Sequence, residues 1–228
     1  MANNKCLRFL FHFLPVLLFL LGVQTLSSLI APLYDSSAGV FSRWAIVFAV
    51  LAELFATLFT FVAMGACLYA ASRRGFLSGL SMLGVTVLLL LLSNIAIFLW
   101  QLNLTDTGVL ILTGLINGAI QSVIFAVAFF LLYLLFLRAD DPQPIKRSFS
   151  CRMFCAILVF SIGNLIYELV METLSVIDAV RTNLGIVYAA DVFDMILAYV
   201  QILLYIAIGA VASYFTVWLL ERRAKKRV

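Results

Sequence analysis

Four carboxylates stand in stretches that are otherwise apolar: Glu168 and Glu172 in one, Asp191 and Asp194 in the next, all between Ser161 and Gln201. Glu168 and Glu172 are four apart and Asn164 is four before Glu168, so a helix places the three on one face. Tyr188, Asp191, Asp194, Gln201 and Tyr205 share a face in the same way. A carboxylate at membrane depth is costly in hydrocarbon, so it faces a protein interior or a water-filled cavity. There it suits a cation, an amine head group or a proton. Glu53 is a further acid of this kind. His12, near one end of the first apolar stretch, is the one basic residue inside any of them, so a pocket built from these acids is negative.

What positions these groups follows from composition. Of 228 residues, 65% are hydrophobic and 11% charged, and the mean hydropathy is +1.15. Those values lie outside the range of soluble domains and define an all-α, polytopic transmembrane helix bundle. Six segments are each long enough to span a bilayer: Phe9 to Ile30, Ala45 to Ala71, Leu77 to Trp100, Val109 to Leu137, Phe154 to Thr173 and Ile186 to Leu220. The expected breaks are Pro32 to Ser42, Ser72 to Gly75, Gln101 to Gly108, Ala139 to Ser150 (with Pro142 and Pro144) and Ser175 to Gly185. The longest polar stretch, Arg138 to Arg152, is only a loop, so one bundle accounts for residues 1–228 and function sits within it. The first segment reads as a span rather than a cleaved signal, because its apolar run is long and no small-x-small site follows at the right distance.

Of the fifteen Lys and Arg residues, Arg43 and Arg181 fall on one side of this arrangement and all the others on the opposite side. The positive-inside rule then places both termini in the cytosol, with residues 221–228 as a basic cytosolic tail. Lys225 and Lys226 occupy the fourth and third positions from the carboxyl end, a pattern that resembles the dilysine retrieval signal of endoplasmic reticulum membrane proteins. That resemblance implies an endoplasmic reticulum location and recognition by coat machinery. Cys6, Cys67, Cys151 and Cys155 fall near the cytosolic ends, where a reducing compartment disfavours disulfides. The Asn103-Leu104-Thr105 sequon sits so close to the bilayer that it is expected to stay unmodified.

Depth follows from about 1.5 Å per helical residue, which puts Glu53 roughly 15 Å from the luminal end and Glu168 roughly 24 Å in from Arg152. Glu172 lies a turn further, and Asp191 and Asp194 are expected at its level. Asn94 and Gln101 fall in the luminal half, and Asn117 and Gln121 near mid-depth. These groups predict an acidic cavity open to the lumen. Glu53, Glu168, Asp191 and Asp194 would line it, with Asn94, Gln121, Tyr167 and Tyr188 as hydrogen-bonding neighbours. The competing reading makes the amides interhelical partners and makes Glu172 and Asp191 local partners of Arg181.

Several chemistries are excluded. No lysine lies within a span for a retinal Schiff base, and the single His rules out bis-histidine haem and multi-histidine zinc centres. Neither a Gly-rich phosphate loop nor a Gly-x-Ser-x-Gly elbow occurs. No cofactor, metal or nucleic acid is expected.

The last two segments resemble the fungal lipid-translocating exporters, the RTA-like seven-helix membrane proteins. Tyr188, Asp191 and Met195 match a Tyr-x-x-Asp-x-x-Pro-Met element that opens that family's final helix, with Asp194 where the family has proline. Tyr167 and either Met171 or Glu172 fall where its penultimate helix has an aromatic residue and a glutamate, whereas Asn164 and Glu168 replace its flanking arginines. Gly118 and Gln121 to Phe125 resemble its Gly and Gln helix. The resemblance implies a chain lacking the family's first helix, and a role in lipid movement or resistance to toxic amphiphiles.

The sequence therefore leads to the expectation of a protein that binds or moves a small amphiphile or lipid. The alternative is a non-catalytic subunit or assembly factor of a larger membrane complex, which would present small residues such as Gly114 and Gly118 to a protein partner. A lipid-modifying enzyme ranks last, for want of a recognisable catalytic set.

Overall fold

The computed structural model describes residues 2–38, 43–105, 109–138, 148–182 and 189–225; the side chains at 2–5, 34–38, 98–105, 109–114, 178–182, 189–191 and 194 lie outside that description. Among the described residues there are six α-helices: α1 Ala2–Ala38, α2 Arg43–Arg74, α3 Phe76–Thr105, α4 Val109–Leu132, α5 Phe149–Thr182 and α6 Ala189–Lys225. All six are long and apolar enough to cross a membrane, and the chain is a multi-pass membrane protein. Among the described residues there is no strand, as expected where every backbone donor and acceptor must be paired inside its own segment.

The helices outrun the apolar segments. The expected break at Pro32 falls later, because α1 continues through both Pro15 and Pro32 to Ala38. A proline removes one donor and crowds one carbonyl, but the remaining pairs hold a helix together where the surroundings offer no alternative partners. Likewise α5 continues past Thr173 to Thr182, and the Asn103–Thr105 backbone forms the last turn of α3. The fourth segment ends in a π-helical turn, Tyr133–Leu137, where the Arg138 amide donates to the Tyr133 carbonyl at 2.9 Å.

Side-chain pairs fix how the helices run. Phe9 meets Tyr69 and Phe19 meets Phe55, so α1 and α2 are antiparallel. Phe76 meets Tyr133 while Asn94 meets Gln121, which makes α3 and α4 antiparallel. Phe154 on Tyr214 and Thr173 beside Tyr199 do the same for α5 and α6. Arg73 with Glu221 at one end, and Glu53 with Gln201 towards the other, show that α2 and α6 run parallel. One end thus gathers Arg8, Arg73, Arg74, Arg222, Arg223 and Lys225, and is called the basic end below.

The two halves of the bundle differ in packing. Towards the basic end every residue of α2 from Phe61 to Ala71 is buried. This run is rich in Ala and Gly, which lets neighbouring helices approach closely where packing rather than water exclusion drives association. A Cβ on Gly65 would lie 2.5 Å from the Ser213 hydroxyl of α6, and one on Gly79 of α3 would lie 2.9 Å from the Ala71 Cα. Gly75 joins α2 to α3 at φ +107°, a conformation that disfavours any side chain. Around this knot pack Phe13 and Leu17 of α1, Met82 of α3, Phe129 of α4 and Met153 of α5. Cation–π contacts of Arg73 on Phe149 (3.9 Å) and Arg74 on Phe9 (4.4 Å) cover its basic end. In the other half the α3–α4 and α5–α6 pairs part: the π-helical turn packs on α5 near the basic end, but α4 itself barely touches it.

Candidate functional site

A cavity of about 550 Å³ occupies the opening between the two pairs, with walls from all six helices. Its floor is the hydrophobic core: Phe61, Leu90, Phe125, Leu132, Phe160 and Ile206 belong both to the lining and to the buried cluster. Above them the lining turns polar. Gln24 of α1, Thr57 of α2, Ser93 and Asn94 of α3, Gln121 of α4, and Asn164 and Glu168 of α5 lie in this upper tier. Counting from the basic end of each helix, Thr57, Asn94, Gln121 and Glu168 all fall about 24–28 Å along it, which is why they share one level.

Local structure orients these groups. Asn94 Nδ2 donates to the Leu90 carbonyl at 2.9 Å and to Gln121 Oε1 at 3.4 Å, tying α3 to α4. Gly118, one turn from Gln121, permits that approach, since a Cβ there would lie 3.2 Å from the Asn94 Cβ. Gly118 is therefore buried within the chain, and the expected partner-facing use of Gly114 and Gly118 does not hold for it; the Gly114 side chain lies outside the described residues. Asn164 Nδ2 donates to the Phe160 carbonyl at 2.9 Å. Thr25 and Ser93 pair at 2.9 Å between α1 and α3. The Oε1 of Gln24 is buried and has no hydrogen-bond partner.

The expected site residues separate into groups. Asn94, Gln121, Tyr167 and Glu168 line the one cavity. Glu53 is not among the lining residues: it lies one helical turn beyond Thr57, where Gln201 Nε2 donates to Glu53 Oε2 at 2.7 Å and to the Tyr205 hydroxyl at 2.9 Å, while that hydroxyl donates to the Val50 carbonyl at 3.2 Å. Glu53, Glu168 and Glu172 are near enough to feel one another's charge, so the mouth is acidic. Tyr188 and Lys226 lie outside the described residues, as do the side chains of Arg181, Asp191 and Asp194. The backbone at Asp191 and Asp194 is helical, but the register set by Thr173 and Tyr199 puts Asp194 a turn or more beyond Glu172, not at its level as expected. The part of α6 that reaches the cavity is Ile206, about 18 Å further along the helix than Asp194. Lys225 is exposed in the last turn of α6.

Sequence reasoning misses Gln24, although it carries the same signal as Asn94, a lone amide in an apolar span. It also misses the small residues Ala56, Ala128 and Gly163, which lend the cavity its width. Among the described residues no three His, Cys, Asp or Glu side chains converge on a metal position. What the arrangement can do is accept hydrogen bonds from, or balance the positive charge of, a polar group whose apolar remainder lies against the floor.

Fold and site together define a multi-pass helical membrane protein with a polar-capped cavity between its helices. No protein-family model, no curated protein and no solved structure matches the chain.

Proposed function

We propose that the protein binds, or moves across the bilayer, a small amphiphile or lipid whose polar head meets the tier around Glu168. The observation that carries this reading is the cavity itself: about 550 Å³, apolar below and polar above, within the range of small-molecule sites. Structural amides alone do not require such a space, because interhelical hydrogen bonds form equally well between helices in full contact. The acidic mouth favours a cationic or hydrogen-bond-donating head. The match of Tyr188, Asp191 and Met195 to an element of the RTA-like lipid-translocating exporters supports the same function.

Within this reading the basic end faces the cytosol, as the positive-inside rule favours. The cavity mouth then faces the lumen, and Lys225 and Lys226 retain the protein in the endoplasmic reticulum through coat machinery. Native mass spectrometry of the protein, extracted gently from its own membrane, tests the function. A bound amphiphile is expected; a stoichiometric second protein with no specific lipid would overturn it in favour of the subunit reading.

A further inference from the structure

Resting on that reading, we infer that the cavity accepts a hydrocarbon chain inserted sideways between α4 and α5, and that Gly163 gauges its length. The cavity is not closed on its α4–α5 side. Leu131 of α4, Leu135 of the π-helical turn and Val159 of α5 line it and are 54%, 71% and 44% exposed. An amphiphile dissolved in the bilayer reaches the floor through this seam without passing the polar tier. A volume near 550 Å³ is ample for a chain of about sixteen carbons with a small head, at about 30 Å³ per heavy-atom group. The Glu168 carboxylate in the lining makes the fitting head a hydrogen-bond donor, a hydroxyl or an ammonium group.

Gly163 sits where floor becomes tier, between Phe160 and Tyr167 along the same face of α5. A Cβ built on it meets nothing within 4 Å, so a larger side chain there enters the cavity instead of displacing a helix. Ala128 lines the cavity from α4. Leucine at Gly163 removes the room of about four methylene groups.

The test uses the full chain in nanodiscs, a diazirine-bearing hexadecanol as probe, a phosphatidylcholine carrying the same diazirine as a comparison whose head donates no hydrogen bond, and a series of alkanols from octanol to octadecanol as competitors. Labelled peptides are mapped by mass spectrometry, and elution as a single species shows that each variant is folded. The wild type is expected to label along the α4–α5 seam, several-fold more with the alcohol than with the phosphatidylcholine. In Gly163→Leu the best competitor shortens by about four carbons, and Ala128→Leu serves as the second variant from the facing helix. Equal seam labelling by the phosphatidylcholine, or an unchanged length profile in both variants, overturns the inference while leaving the amphiphile reading in place. No seam labelling of the wild type by the alcohol overturns both.

Discussion

Replacing Gly79 by alanine tests the packing that holds the site, because the hairpin of α2 and α3 carries Thr57, Thr60, Leu90 and Asn94 to the cavity wall. The new Cβ would lie 2.5 Å from the Ala71 Cβ, 2.9 Å from its Cα and 3.1 Å from its backbone nitrogen. Carbon atoms settle at about 3.5–4.0 Å, and no flexible side chain stands between these two helices to give way, so the helices must part by about 1 Å. Overpacking of this kind costs about 1–3 kcal/mol, less up to about 1 kcal/mol gained from alanine's better helix propensity. Gly84, on the same helix, is the internal control: a Cβ there meets nothing within 4 Å, so Gly84→Ala keeps the propensity gain without the clash. At about 2–4 °C per kcal/mol for a chain of this size, thermal unfolding in one detergent should show Gly79→Ala below the wild type by several degrees and Gly84→Ala level with it or slightly above. Equal melting temperatures for the two variants would refute the close approach of α2 and α3.

Two further outcomes are expected. A double-mutant cycle of Asn94→Leu and Gln121→Leu, read by the same melting assay, should give a coupling energy of about 0.6 kcal/mol, the usual worth of an interhelical hydrogen bond in a membrane bundle; no coupling would mean that the pair does not tie α3 to α4. Replacing Lys225 and Lys226 together by serine should shift a tagged protein from the endoplasmic reticulum to later membranes in a fractionation or imaging assay, and an unchanged distribution would dismiss the retrieval signal.

How much of this was legible in the sequence depends on the physical signal each feature leaves. Six long apolar runs announce six helices because a bilayer offers a backbone no other pairing, and hydropathy measures that directly. The ends of the helices are less legible: α1 passes Pro32 and α5 passes Thr173, because polar residues continue a helix as readily as apolar ones once it has begun. Within the site, Asn94, Gln121, Tyr167 and Glu168 are conspicuous as polar residues in apolar spans, and Gln24 carries the same mark. Spacing along one helix reveals a shared face but not the register between helices, which is why Asp191 and Asp194 were expected at the level of Glu172. Gly163 and Ala128 matter for the volume they leave empty, and a missing side chain acquires meaning only when its neighbours in space are known.

The central claim, that Glu168 meets the polar head of a bound amphiphile, is tested most directly by the affinity of Glu168→Gln for the amphiphile that copurifies with the wild type, measured on both proteins in the same nanodiscs. A hydrogen bond to a carboxylate is worth about 1.5–3 kcal/mol and one to a neutral amide about 0.5–1.5 kcal/mol. A difference of about 1.4 kcal/mol is tenfold in affinity. The account therefore predicts binding about tenfold weaker, with the melting temperature of the protein little changed. Equal affinity in the two proteins would contradict it.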